Sequence, residues 1–135
     1  MAIIVTAILY FGIVFTFAFA MGVVRVLVVA PLVGPAAAVF IEVPIILAAS
    51  WIVARRVLRR RTLGFSKRLA VGGLAFMLLM ACEALLATVI LGQNVGQWAA
   101  TVATPLGLVG LTGQLGFAAI PVLAVRDRAV RKANR

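Results

Sequence analysis

The chain has 135 residues, of which 65% are hydrophobic and only 12% charged, and its mean hydropathy is +1.23. Soluble domains have about half apolar and about a quarter charged residues. This composition excludes a soluble enzyme, a nucleic-acid-binding module and a disordered tail, and it predicts an integral membrane protein.

Four apolar segments are long enough to cross a bilayer, whose hydrocarbon core of about 30 Å needs about 20 helical residues. In chain order we predict spans over residues 2–30, 35–54, 69–91 and 98–125. Pro31 is expected to end the first span, and Pro35 suits the first turn of the second because that position needs no backbone N–H. The predicted fold is a single domain over residues 1–135, an all-α bundle of four transmembrane helices made of two antiparallel hairpins.

The basic residues stand mainly in two clusters, and the net charge of the chain is +10. The connection 55–68 carries seven of them, and the tail 126–135 carries five. The positive-inside rule explains these clusters better than nucleic-acid binding does, and it places both of them, with both termini, in the cytoplasm. The amino-acid usage is compatible with a bacterial inner-membrane protein. The seven residues of the connection also predict contact with anionic lipid headgroups: Arg55, Arg56, Arg59, Arg60, Arg61, Lys67 and Arg68.

The sequence offers few groups for catalysis. It has no histidine and a single cysteine, Cys82, which stands inside an apolar run. Histidine-ligated haem or zinc and an intramolecular disulfide are therefore excluded. No nucleophile–base motif, phosphate loop or metal-ligand spacing occurs, so we expect no cofactor and no metal, and an enzymatic activity is not favoured.

Three ionisable side chains are predicted inside the spans, where a charge is energetically expensive: Arg25, Glu42 and Glu83. Counted from the predicted outer ends of their spans, both glutamates lie about 10–12 Å deep. The long arginine side chain reaches the same layer. We therefore expect the three to meet in the outer half of the bundle.

Prolines inside two spans add polar groups to this layer. Pro105, like Pro44, lacks the N–H of a helical residue and frees a carbonyl one turn earlier, here that of Thr101. The Thr104 hydroxyl lies at the same level. The predicted polar site consists of Arg25, Glu42, Glu83, Thr101 and Thr104. In one interpretation the carboxylates take up a proton, a cation or a cationic solute with the arginine as counter-ion; in the other, the charges only fix the register of the helices.

Glycines recur at every third position of the fourth span, at Gly107, Gly110, Gly113 and Gly116, and Gln114 shares a face with two of them. Small residues let helix backbones approach closely, and a glutamine can hydrogen-bond between helices. This face favours packing within the chain. The alternative is docking against a second copy or a protein partner.

Three functions fit this pattern. Short loops, missing catalytic groups and the glycine face favour a non-catalytic accessory, assembly or stabilising subunit of a larger membrane complex. The alternative is a small proton- or cation-coupled transporter or channel that uses Glu42 and Glu83. We expect such a transporter to be a homo-oligomer, because four short helices rarely enclose a pathway alone. A lipid- or quinone-binding membrane module is the third possibility.

Overall fold

The computed structural model describes residues 1–59 and 61–133. Arg60 and the end of the predicted tail 126–135 lie outside the described residues. The helices are α1 (Ala2–Val24), a π-helical segment (Arg25–Val29), α2 (Ala30–Val33), α3 (Pro35–Leu58), α4 (Phe65–Val89), α5 (Val95–Val102) and α6 (Pro105–Ala133). Four helical stretches are long and apolar enough to cross a membrane: Ala2–Val33, Pro35–Leu58, Phe65–Val89 and Pro105–Ala124. For the described residues, the predicted all-α class is confirmed, with four helices long and apolar enough to span a membrane.

The first span is longer than predicted because Pro31 does not end it. A proline inside a helix removes one N–H and crowds the carbonyl one turn earlier. Here the π-helical segment Arg25–Val29 widens the helix directly before the proline, and its first carbonyl accepts from the Ala30 N–H. The chain turns only at Gly34, whose φ of 88° suits a residue without a side chain. Pro35 then begins α3.

The fourth predicted span is two helices rather than one, because Pro105 stands at a break. The short helix α5 begins with a capping box, in which Asn94 and Gln97 each accept a hydrogen bond from the other's backbone N–H. Pro105 then takes the first position of α6, where its missing N–H costs nothing. Only the part Pro105–Ala124 of the predicted 98–125 is long and apolar enough to span.

The four spans form a square in which each helix packs along two neighbours. α1 packs against α3 and α4, and α6 packs against the same two helices. The pairs α1 with α6 and α3 with α4 therefore face each other across the diagonals. Because the connection from α3 to α4 crosses one diagonal, it closes the bundle at that end, and its Leu63 joins the buried core beside Leu58.

We name the two ends of the bundle by their connections. At the basic end lie the connection 59–64 and the N-terminus, which are joined where Arg61 Nη1 donates to the Ala2 carbonyl over 3.2 Å. At the hairpin end lie the turn at Gly34 and the turn 90–94. These names carry no statement about which side of a membrane each end faces.

The core is concentrated in the half nearer the basic end. It contains Ala7, Tyr10, Val14, Ala54, Leu58, Leu63, Val71, Ala75, Phe117, Ile120 and Ala124. α4 and α6 approach each other closely at Gly72 of α4, where a Cβ would collide with the carbonyl oxygen of Ala118 on α6. Helices in lipid associate through such small-residue contacts, because there is no hydrophobic driving force between them. The core stops short of the hairpin end.

Candidate functional site

A cavity of about 630 Å³ lies between the four spans in the half nearer the hairpin end. Small-molecule sites have volumes of about 300–1,000 Å³. The lining is mostly aliphatic and aromatic, and its polar side chains are Arg25, Glu42, Glu83, Gln93, Thr101, Thr104 and Gln114. All five predicted polar-site residues therefore line one partly open cavity, and a single chain supplies its lining.

Arg25 and Glu42 form an ion pair on one side of this cavity. Arg25 is the first residue of the π-helical segment, and Glu42 lies on the neighbouring α3. The distance from Arg25 Nε to Glu42 Oε2 is 2.6 Å, although the two groups are not aligned as a hydrogen bond. Gly22 lies beside this carboxylate, and a Cβ there would be in ordinary van der Waals contact, 3.7 Å from Glu42 Oε1. The pair is neutral as a unit.

Glu83 has a different partner. Its Oε1 accepts a hydrogen bond of 2.6 Å from Nε2 of Gln114, which lies on the neighbouring α6. The sequence assigned Gln114 to the packing face, whereas the structure places it in the polar site. Because the amide is neutral, it binds the carboxylate without balancing its charge. The ionisable lining residues are one arginine and two glutamates, so one negative charge remains when both glutamates are ionised.

Thr101 and Thr104 form local hydrogen bonds at the break between α5 and α6. The Thr104 hydroxyl donates to the Thr101 carbonyl over 2.7 Å and accepts from the Gly107 N–H over 3.1 Å. The Thr104 backbone N–H donates to the same carbonyl over 3.2 Å, so Thr104 supplies two donors where Pro105 has no N–H to offer. The Thr101 hydroxyl donates to the Gln97 carbonyl. Both threonines line the cavity, but these hydrogen bonds are local and hold the break together.

The glycine face of α6 packs mostly within the chain. Gly113 and Gly116 lie against side chains of α3, where added Cβ atoms would come within 2.9 and 3.0 Å of neighbouring methyl groups. Gly107 lies against backbone carbonyls at the end of α5. Gly110 has nothing within 4 Å of its Cβ position and lines the cavity.

Phe117, which lines the cavity, contacts the buried Tyr10 of α1. The two rings are stacked with centroids 4.6 Å apart and planes 7° apart. The Tyr10 hydroxyl also donates to the Phe117 carbonyl over 2.8 Å. That carbonyl lies four residues before Pro121, which has no N–H to offer it. Sequence reasoning missed this contact; the signal was a lone tyrosine in one span and a proline in another.

Six of the seven basic residues predicted to contact lipid, all but Arg60, are described by the structure and lie at the basic end. Arg55 and Arg56 occupy the last turn of α3, where a cation also suits the negative end of the helix dipole. Lys67 and Arg68 lie in the first turn of α4. Arg59 and Arg61 stand in the connection between them.

The polar side chains at this site can hold a charged or polar guest. Among the described residues, no group of three or more His, Cys, Asp or Glu side chains is placed to hold a metal ion. The cavity combines three kinds of group. Phe11, Phe15 and Phe19 of α1 form an aromatic wall. The others are the Arg25–Glu42 ion pair and the Glu83 carboxylate, which is hydrogen-bonded to the Gln114 amide. No family model, curated protein or solved structure matches this chain.

Proposed function

We propose that the protein is a small membrane transporter that binds a cation in the cavity and exchanges it for a proton at Glu83. The observation that supports this most is that Glu83 lines the cavity beside a neutral amide, whereas the charge of Glu42 is balanced by Arg25. A carboxylate at membrane depth takes a proton or meets a cation, because an isolated charge there is expensive. A proton and a cation then compete for the same two oxygens.

The shape of the bundle supports the same proposal. The cavity lies in one half, and the packed core with the Tyr10–Phe117 contact closes the other. Transport then requires the packed half to open while the cavity half closes. A second copy of the chain is not needed to form the binding site, and the predicted homo-oligomer stays a prediction.

In this proposal the basic end faces the cytoplasm of a bacterial inner membrane, and the hairpin end faces outward. The support is the positive-inside rule together with the position of the basic side chains at the ends of α3 and α4. Exposed arginines and lysines at that level bind anionic lipid headgroups.

Transport by purified protein in liposomes tests the proposal. The vesicles enclose a pH-sensitive dye, and pulses of sodium, potassium and tetraphenylphosphonium chloride are applied in turn. We expect at least one cation to drive proton release from wild-type vesicles, Glu83→Gln to abolish it, and Glu83→Asp to retain part of it. Labelling of Lys67 with a membrane-impermeant amine reagent reports the orientation of the protein in the same vesicles.

Glu83→Gln should preserve the fold, because the oxygen of the new amide can still accept the hydrogen bond from Gln114 Nε2. A loss of transport in this variant therefore reports the lost carboxyl group. A response in Glu83→Gln equal to that of wild type contradicts the proposal, and so does the absence of any cation response above that of empty vesicles. The accessory-subunit hypothesis stays a prediction. The glycine face that suggested a partner is occupied within the chain at Gly107, Gly113 and Gly116.

A further inference from the structure

We infer that the ligand of this cavity is a monovalent organic cation with aromatic or aliphatic bulk, rather than a bare metal ion. The inference rests on the proposed function and names its substrate class. Its first support is the charge of the lining. Since Arg25 and Glu42 balance each other, a single positive charge at Glu83 makes the cavity neutral.

The lining also suits a bulky guest better than a small ion. Hard metal cations such as calcium and magnesium take six or more oxygen ligands at short distance. Glu83 offers a carboxylate of which one oxygen already accepts from Gln114. The remaining space of about 630 Å³ is bounded mainly by carbon. An organic cation fills such a space with apolar groups and removes them from water.

An aromatic wall stands on the helix beside the carboxylate. Phe11, Phe15 and Phe19 follow one face of α1 at intervals of four residues, and all three line the cavity. Their ring centroids are 5.1 and 6.3 Å apart in succession. α1 packs directly against α4, which carries Glu83. A cation near these rings gains cation–π attraction as well as the carboxylate charge.

Binding measured by tryptophan fluorescence tests this inference. Trp98 lines the cavity, whereas Trp51 packs against the core. The variant Trp51→Phe therefore leaves one reporter at the site. Tetraphenylphosphonium and tetraphenylborate are probes of the same shape and opposite charge. We expect the cation to change the Trp98 emission with saturation, and the anion and potassium chloride to produce no saturable change.

Side-chain variants in the same background locate the bound cation. Glu83→Gln is expected to weaken tetraphenylphosphonium binding by at least about thirtyfold, because a desolvated charge partner is lost. Phe15→Leu is expected to weaken it about five- to thirtyfold. Phe17→Leu is the matched control, because Phe17 is exposed on the same helix and does not line the cavity. Its affinity should equal that of the parent.

Equal binding of the cation and the anion, or equal losses in Phe15→Leu and Phe17→Leu, overturns the inference. The outcome is separable from that of the transport experiment. Proton exchange driven by potassium through Glu83, without tetraphenylphosphonium binding, leaves the transporter standing and removes this substrate class. Saturable tetraphenylphosphonium binding without any transport supports the ligand class and contradicts the transporter.

Discussion

The two glutamates inside the spans differ in the charge of the side chain beside them. Glu42 meets the guanidinium of Arg25, while Glu83 meets the amide of Gln114. The pair is half-buried, with 31% of the Arg25 and 12% of the Glu42 side chain exposed, and removing either member would leave the other charge uncompensated within the span. In the proposed transporter Glu83 exchanges its proton for a cation, since its partner among the described residues is a neutral amide.

The hydrogen bond from the Tyr10 hydroxyl to the Phe117 carbonyl gives a testable prediction. Tyr10→Phe keeps the stacked ring but leaves the Phe117 carbonyl without a donor inside the bundle. We expect a loss of about 1–3 kcal/mol in the free energy of unfolding, the cost of an unsatisfied buried acceptor. Unfolding in mixed micelles with increasing dodecyl sulfate measures it.

A double-mutant cycle with Pro121→Ala tests whether the destabilisation expected in Tyr10→Phe comes from the unsatisfied Phe117 carbonyl. In Pro121→Ala the new backbone N–H can donate to the Phe117 carbonyl. Tyr10→Phe should then cost at least about 1 kcal/mol less than it does beside the proline, since the acceptor keeps a partner. An equal cost in both backgrounds would mean that the hydroxyl does not replace the hydrogen bond that Pro121 removes.

At the scale of elements, hydropathy was sufficient to predict four spans but not their ends. The prolines were the main source of error. Pro31 was expected to end a helix, yet the π-helical segment before it lets the helix continue. Pro105 was expected inside a span, yet it begins a new helix. Whether a proline breaks, widens or starts a helix depends on which neighbours satisfy the freed carbonyl, and hydropathy carries no such information.

The candidate site was predictable in its three charged members and in Thr101 and Thr104, which all line the cavity, but not in Gln114. Arg25, Glu42 and Glu83 stand out because ionisable residues are rare in lipid. Gln114 and Tyr10 do not stand out, because their partners lie 31 and 107 residues away along the chain. Such pairs depend on the order of helices around the square, in which α1 and α6 face each other diagonally.

The contact between α4 and α6 gives the prediction at this scale. Gly72→Ala places a methyl group against the Ala118 carbonyl and forces the helices apart. We expect a loss of about 1–3 kcal/mol, which is typical of overpacking. The neighbouring Gly73→Ala meets nothing within 4 Å and is the matched control. It should be neutral or raise stability by up to about 1 kcal/mol, because alanine favours a helix.

Melting temperatures of the two variants in the same detergent compare them directly. A similar decrease in both variants would show that the glycines matter through helix flexibility and not through the approach of α4 to α6. A decrease confined to Gly72→Ala supports the backbone contact, which brings Glu83 on α4 beside Gln114 on α6.

At the scale of the whole molecule, the bundle is packed in one half and hollow in the other. Leu58, Leu63 and the Tyr10–Phe117 contact belong to the closed half, and the carboxylates line the hollow half. Packing stabilises the square of helices, so the hollow half can carry expensive charges without loss of the fold. This division is what a binding cavity reached from one end requires.

The central claim is that Glu83, and not Glu42, is the carboxyl group available to a ligand. Dicyclohexylcarbodiimide, an apolar reagent that adds to protonated carboxyl groups in membranes, tests it directly when mass spectrometry locates the adduct. We expect labelling at Glu83 and little labelling at Glu42, because Glu42 is paired with Arg25. Tetraphenylphosphonium should slow the labelling of Glu83. Labelling of Glu42 at an equal or higher rate, or a rate at Glu83 that the cation leaves unchanged, would contradict it.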